Sequence, residues 1–164
     1  MATPLVPASF SVPSRLETDE FRLRMLTVHD LVKDFEAVVT SAEHLKGIFP
    51  PPSTWPDGLT LEQDLIDLGW HQKEFQRRTS FAYTVMSLDE ERCLGCVYLY
   101  PSDRMGYEAY CLLWARESEL ASGLEDRLLA EVRAWLSAAW PFERIGFPGR
   151  DMSWNEWHAL PPRA

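Results

Sequence analysis

Between residues 16 and 27, in "LETDEFRLRMLT", Phe21, Leu23 and Met25 alternate with Arg22 and Arg24. A period of two is that of a half-buried strand. The period then changes. Leu31, Phe35, Val38, Val39 and Ala42 recur at helical spacing, behind a Thr27 and Asp30 placed to open a helix. "GIFPPPSTWPDG" (residues 47–58), with four prolines and two glycines, is a loop. Thr60 and Gln63 form a capping-box pair before a second helix at about 61–76, with Leu61, Leu65, Leu68 and Phe75 on its apolar side.

Three strand-like runs follow: "TSFAYTVMSL" (79–88), "CLGCVYLY" (93–100) and "YEAYCLLWAR" (107–116). Their short polar connections predict an antiparallel meander. A third long helix begins within "ASGLEDRLLAEVRAWL" (121–136), with Leu124, Leu128, Val132, Trp135, Leu136 and Ala139 on one face. "FERIGF" (142–147) is a fifth strand, and the intervening helix makes it parallel to the fourth. "SWNEWHAL" is a short helix before Pro161. Residues 1–14, with three prolines and no periodicity, read as a flexible or extended leader to one domain over 15–164.

The 164 residues suit a single domain, and eight Phe, seven Trp and five Tyr supply a core. With 25 acidic against 16 basic residues, the net charge of −9 argues against a nucleic-acid partner or an anionic membrane surface. It suits a cationic substrate such as an amine, although solubility explains it as well. The N-terminus has no basic and apolar signal regions, and no apolar run reaches the length of a membrane span. Three cysteines without an export signal point to a reducing cytoplasm. Cys93 and Cys96 lie in a strand, where positions three apart face opposite sides, so they read as buried thiols and no metal is expected. His29, His44, His71 and His158 share no ligand spacing, and no nucleophile elbow or phosphate loop occurs.

The order strand, two helices, three antiparallel strands, helix, strand resembles the GCN5-related N-acetyltransferase (GNAT) superfamily. The branch most similar is that of the ribosomal-protein N-acetyltransferases. "LETDEFRLRMLTVHD" looks like that branch's opening strand, "RCLGCVYLY" its third, and "YEAYCLLWAR" its fourth, with Glu108 and Tyr110 resembling an acidic and aromatic pairing common there. The likeness covers about residues 16–150. It implies an α/β (α+β) fold of the acyl-CoA N-acyltransferase type: a central mixed, mainly antiparallel sheet flanked by helices. It also implies acetyl-CoA as donor and a small-molecule or peptide amine as acceptor. The donor's pantetheine arm would lie along the fourth strand, against backbone groups of Leu112, Leu113, Trp114 and Arg116. Its diphosphate would sit on the amides that open the next helix, at Ser122, Gly123, Leu124 and Glu125. A strand N–H would hold the developing oxyanion. Glu108 would be the base by position.

Two departures keep a second reading open. In the family's diphosphate loop, R/Q-x-x-G-x-G/A, Gly123 matches the first glycine, but Leu120 replaces the Arg or Gln and Glu125 the second small residue. Ser122 and Glu125 also form S-x-x-E, a capping box that would satisfy the same amides from within the chain. Arg116, Arg127 and Arg150 could offset Glu125. About 17 residues follow Phe147, so the family's C-terminal hairpin is expected to be lacking, and with it the tyrosine acid. Ser153 or solvent would replace that acid. Trp154, Trp157 and Leu160 would cover the fifth strand or, alternatively, join a homodimer. The functional expectation is therefore an acetyl-CoA-dependent N-acetyltransferase. The alternatives are a non-catalytic scaffold of the same fold that has lost CoA, and an unrelated α/β domain that shares the element order.

Overall fold

The computed structural model describes residues 2–163. Six strands, β1 (Arg15–Glu17), β2 (Phe21–Met25), β3 (Phe81–Ser87), β4 (Cys93–Pro101), β5 (Ala109–Ala115) and β6 (Ile145–Gly146), form one sheet in chain order. Every neighbouring pair is antiparallel except β5 and β6, which are parallel. This is the expected mixed, mainly antiparallel sheet. The helices are α1 (Leu31–Val39), α2 (Ala42–Leu45), α3 (Leu61–Arg77), α4 (Leu124–Ala139) and α5 (Trp154–Ala159). None is long and apolar enough to cross a membrane, among the described residues.

The first expected strand is a hairpin. The Thr18 hydroxyl accepts the N–H groups of Glu20 and Phe21, both at 3.1 Å, and turns the chain so that Leu16 pairs with Leu23. Phe21 and Leu23 point into the core, while Arg24 ties to Asp30 and Glu90 at 2.8 Å each. β3, β4 and β5 are buried on both faces, which is why they read as near-continuous apolar runs. On one face Tyr83, Val97 and Leu113 pack with Leu128, Val132 and Trp135 of α4. On the other, Cys96, Tyr98, Leu112 and Trp114 pack with Val38, Leu45 and Leu68.

The two helices of that second face turn differently from the expected stripes. Val39, Leu61 and Leu65 are exposed by 41%, 47% and 41%, whereas Asp34 and Asp64 are buried to 5% and 2%. Both helices thus rotate a carboxyl into the interior at a position that a leucine pattern would have filled. In α4 the expected face holds except at its end, where Trp140 is buried instead of Ala139.

Residues 2–14 form no strand or helix, but they are held against the body rather than free. Val6 is buried, and the Leu5 N–H donates to the Arg78 carbonyl at 2.7 Å. The Arg78 guanidinium in turn donates to the carbonyls of Pro7 and Phe10, both at 2.7 Å. At the other end Trp157 of α5, 2% exposed, covers β6 from within the chain. A Cβ on Gly146 would lie 2.3 Å from the Trp157 ring. Gly146→Ala should therefore lower the unfolding free energy by about 1–3 kcal/mol. Urea unfolding followed by tryptophan fluorescence reads this, and an unchanged midpoint would mean that α5 is not seated on β6.

Candidate functional site

β5 and β6 pair at only two positions, Ala109 with Ile145 and Tyr110 with Gly146. Beyond them the strands part, and β5 continues without a partner on that side. The Arg116 N–H donates to Leu94 of the antiparallel neighbour at 2.8 Å. Alternation along the strand then sends the backbone groups of Leu112 and Trp114 to β4, and those of Leu113 and Ala115 into the open edge. Of the residues expected to meet a donor through the backbone, only Leu113 therefore faces the gap, joined by Ala115. The Arg116 guanidinium also lies away from it, buried against the Cys93 carbonyl at 3.0 Å and Glu36 at 2.6 Å.

The gap is a cavity of about 200 Å³ whose lining includes His44, Lys46, Leu113, Glu125 and Arg150. Glu125 closes one side of it. Its Oε1 accepts the Ala115 N–H at 3.0 Å and meets His44 Nε2 at 2.7 Å, and its Oε2 lies 3.5 Å from Arg150. Arg150 also donates to the Leu113 carbonyl at 2.9 Å. Burial pushes the Glu125 carboxyl up, but the Ala115 N–H, His44 and Arg150 outweigh it, and the net shift is downward. A carboxylate and a guanidinium thus supply the β5 edge with the partners that an added strand would otherwise give.

The head of α4 is not self-capped. Ser122 Oγ donates to the Glu119 carbonyl at 2.7 Å, and Glu125 points into the cleft, so the expected capping box does not form. The N-cap is Gly123, at φ +80°, with no side-chain hydrogen bond to the first turn. The Gly123 N–H is taken by the Leu120 carbonyl at 3.0 Å, and the Leu124 side chain is in the core. Arg127 stays at the helix head, donating to the Ser122 carbonyl at 2.5 Å while its other nitrogens pair with Glu20.

The two expected catalytic side chains have other partners. Glu108 Oε2 accepts the N–H groups of Glu143 and Arg144 at 2.6 and 3.1 Å, pinning the segment that enters β6 at the closed end of the splay. Ser153 caps α5 in a reciprocal box with Glu156, accepting the Glu156 N–H at 3.1 Å. The structure therefore gives each a backbone-holding role. Cys93, Cys96 and Cys111 are free, buried thiols, and burial pushes Cys93 and Cys111 up to about 12.

A second cavity, about 280 Å³, lies on the α1–α3 face. Asp34 and Asp64 form its floor, Tyr98, Tyr100, Phe49 and His71 its walls, and Trp55 and Trp70 stand at its mouth. Burial, then the Asp64 charge, drives the Asp34 carboxyl well above the usual range. Burial raises Asp64 to about 6, and lowers His71 to about 4, so the imidazole is neutral near pH 7. The two cavities stand on adjacent strands. Tyr98 of one is the register partner of Leu112 of the other, and the Trp114 indole donates to the Tyr98 hydroxyl at 3.1 Å. Sequence reasoning missed the second cavity because aspartates on a helix normally mark its wet face. The available signal was the spacing of Asp64, Leu68 and His71, which share one side of α3.

No protein-family model matches the chain, and no curated protein matches it. Solved structures do. The ribosomal-protein-S5-alanine acetyltransferase of Vibrio fischeri superposes with a TM-score of 0.66 at 17% identity, over 90% of this chain and 81% of that one. The ribosomal L7/L12 alpha-N-protein acetyltransferase RimL, in complex with coenzyme A, gives 0.64 at 15%, over 83% and 72%. The microcin C7 self-immunity acetyltransferase MccE, in complex with acetyl-CoA and AMP, gives 0.60 at 13%, over 78% and 70%. The chain has the GNAT fold, as the sequence resemblance implied.

Glu125 ties four elements together, and its loss is measurable. Glu125→Gln should cost about 1–2 kcal/mol of stability near neutral pH. The folded carboxyl lies below its ordinary 4.5, so its contribution is full above that value and disappears as pH falls through the folded pKa. The gap between wild type and variant should therefore shrink progressively as pH is taken below 4.5, as read by denaturant unfolding. A gap that persists there would mean that the charge is not what matters.

Proposed function

We propose that this chain, built on the GNAT fold, is an acetyl-CoA-dependent N-acyltransferase whose donor arm lies along the open edge of β5. The observation that carries the reading is the splay itself. The Leu113 carbonyl and the Ala115 N–H face a cavity bordered by His44, Lys46 and Arg150, three cation-forming groups on a protein of net charge −9. Beside it, α4 presents first-turn amides that no side chain caps. The Glu125 carboxylate, bonded to the Ala115 N–H, supports an anion as what the cleft takes. The Leu113 N–H, directed to the same side as its carbonyl, is placed to hold an oxygen on which negative charge develops. Several neighbours named above act on ribosomal proteins or carry CoA or acetyl-CoA, which supports an amine acceptor and a CoA-type donor.

A second reading, a scaffold of the same fold that no longer takes CoA, is favoured by Glu125. Its 3.0 Å bond holds the Ala115 N–H that the donor arm would use. A carboxylate ~4 Å from a diphosphate charge would cost on the order of 4 kcal/mol at an effective dielectric of 20. Under the enzyme reading Glu125 must swing out, releasing His44 and Arg150 to the diphosphate.

Calorimetric titration with acetyl-CoA decides between them. Binding, with a raised melting temperature, is the expected result. Silence at millimolar acetyl-CoA, CoA and longer acyl-CoAs would leave the scaffold. Glu125→Ala should tighten CoA binding by roughly tenfold or more, since each 1.4 kcal/mol of removed repulsion is a factor of ten. Unchanged affinity would show that Glu125 does not compete with the donor.

A further inference from the structure

We propose that the Asp34 and Asp64 carboxyls share a proton that clamps α1 to α3, and that losing it as pH rises loosens the two helices. The device belongs to the fold and does not rest on acyl transfer. α1 and α3 bring the two carboxyls into contact in the interior, where Asp34 is 5% exposed and Asp64 2%. Asp64 Oδ2 is shut off from solvent and accepts no N–H or hydroxyl from the described residues, and the Asp34 carboxyl lies beside it. Two carboxyls in contact cannot both ionise without a counter-charge. A carboxylic O–H donating to the neighbouring carboxyl supplies the missing partner. The pair is also the polar tie between these helices. No other hydrogen bond joins α1 to α3 among the described residues, and the Val28 N–H that donates to Gln72 Oε1 at 3.0 Å does so from the turn before α1.

The surroundings hold no cation to take the proton's place. On α1 and the turn before it, Asp30 is paired with Arg24, Lys33 donates to the Glu90 carbonyl, and Glu36 is paired with Arg116. On α3 stand Asp67, which accepts from Gln63 at 3.4 Å, and His71, which burial lowers to about 4 and leaves neutral near pH 7. On β4 stand Cys93, Cys96, Tyr98 and Tyr100, all pushed up by burial and so uncharged. The loop beside them contributes Phe49, Ser53 and Trp55, none of which carries a charge. No group of three His, Cys, Asp or Glu is placed to hold a metal ion, among the described residues.

Both carboxyls titrate higher in the folded chain than the ordinary 3.8, through burial first: Asp64 at about 6, and Asp34, which also meets the Asp64 charge, well above the usual range. The folded protein therefore keeps protons that the unfolded chain releases above about pH 4. The stability they bring is present below that value and is lost as pH rises through about 6 and beyond. His71 works the other way, because its folded value lies below 6.5, and it favours the folded state increasingly as pH rises from about 4 to 6.5. A comparison of wild type with a variant altered only at the pair cancels that contribution. Asp34, Asp64, Leu68 and His71 line the α1–α3 cavity, so the same proton sets how tightly that cavity is closed.

The test uses the full chain without any ligand, so its failure leaves the acyl-transfer reading standing on its own titration. Infrared spectra at about pH 7 should show the carbonyl stretch of a protonated carboxyl, which exposed carboxylates do not give at that pH. The double variant Asp34→Asn with Asp64→Asn, whose amides bond to each other at any pH, should lack it. In hydrogen exchange corrected for the intrinsic rate, the wild-type amides of α1 and α3 should lose about tenfold or more of their protection between about pH 5.5 and 8.5, since each unit by which a pKa is raised is a factor of ten. Those of α4 should not, and the double variant should keep its protection throughout. The melting temperature of the wild type relative to the double variant should fall over the same range. No band, a band that survives in the double variant, an equal loss of protection in α4, or a difference in melting temperature that does not move with pH would overturn the proposal. If the double variant does not fold, the infrared band and the exchange pattern of the wild type still decide.

Discussion

The β5 edge is the constraint on which the rest of the site depends. A strand paired on one side leaves N–H and C=O groups on the other, and buried backbone groups must find partners. Here β6 satisfies β5 over two residues and then departs. The remaining groups are met by Glu125 from the first turn of α4 and Arg150 from the segment after β6. Glu108 sets where the parting begins, because its carboxylate holds the backbone of residues 143 and 144. The splay is thus a pinned fork with a polar filling.

That filling links the anion chemistry of the cleft to the stability of the fold. Glu125 is joined to His44, Ala115 and Arg150, so a ligand taking its place breaks contacts between α2, α4, β5 and the C-terminal segment before forming its own. The cations gathered there remain for an incoming anion, and their charge is balanced meanwhile by the carboxylate. The opposite arrangement holds one strand away. On the α1–α3 face carboxyls are gathered without cations, and burial pushes both Asp34 and Asp64 upward. Tyr98 of β4 and Trp114 of β5, hydrogen-bonded to each other, link the two strands that carry these cavities.

The legible part of this architecture is the part governed by near neighbours in the chain. The period-2 run from Phe21 to Met25, the apolar stretches of β3 to β5 and the 3.6-period face of Leu124, Leu128, Val132 and Trp135 all reappear as elements. So do the caps at Thr27 and Thr60, where donor and acceptor lie three residues or fewer apart. Ser122 and Glu125 satisfy the same local pattern and still do not cap: tertiary partners take the carboxylate, and the hydroxyl donates to the Glu119 carbonyl three residues before it. Glu108 accepts backbone N–H groups 35 and 36 positions away, which no local pattern records, whereas Ser153 caps α5 through Glu156, three residues on.

What the sequence determined by itself is the order and kind of the elements, and through them the GNAT fold, since helical and strand periods are written within a few residues. The rotation of α1 and α3 about their axes was decided only in three dimensions. Val39, Leu61 and Leu65 were as apolar as any core residue, but the contact of Asp34 with Asp64 spans α1 and α3, and no local period records it. The occupancy of the cleft was decided the same way. His44 and Glu125 are 81 positions apart, and only the closed sheet brings them to 2.7 Å.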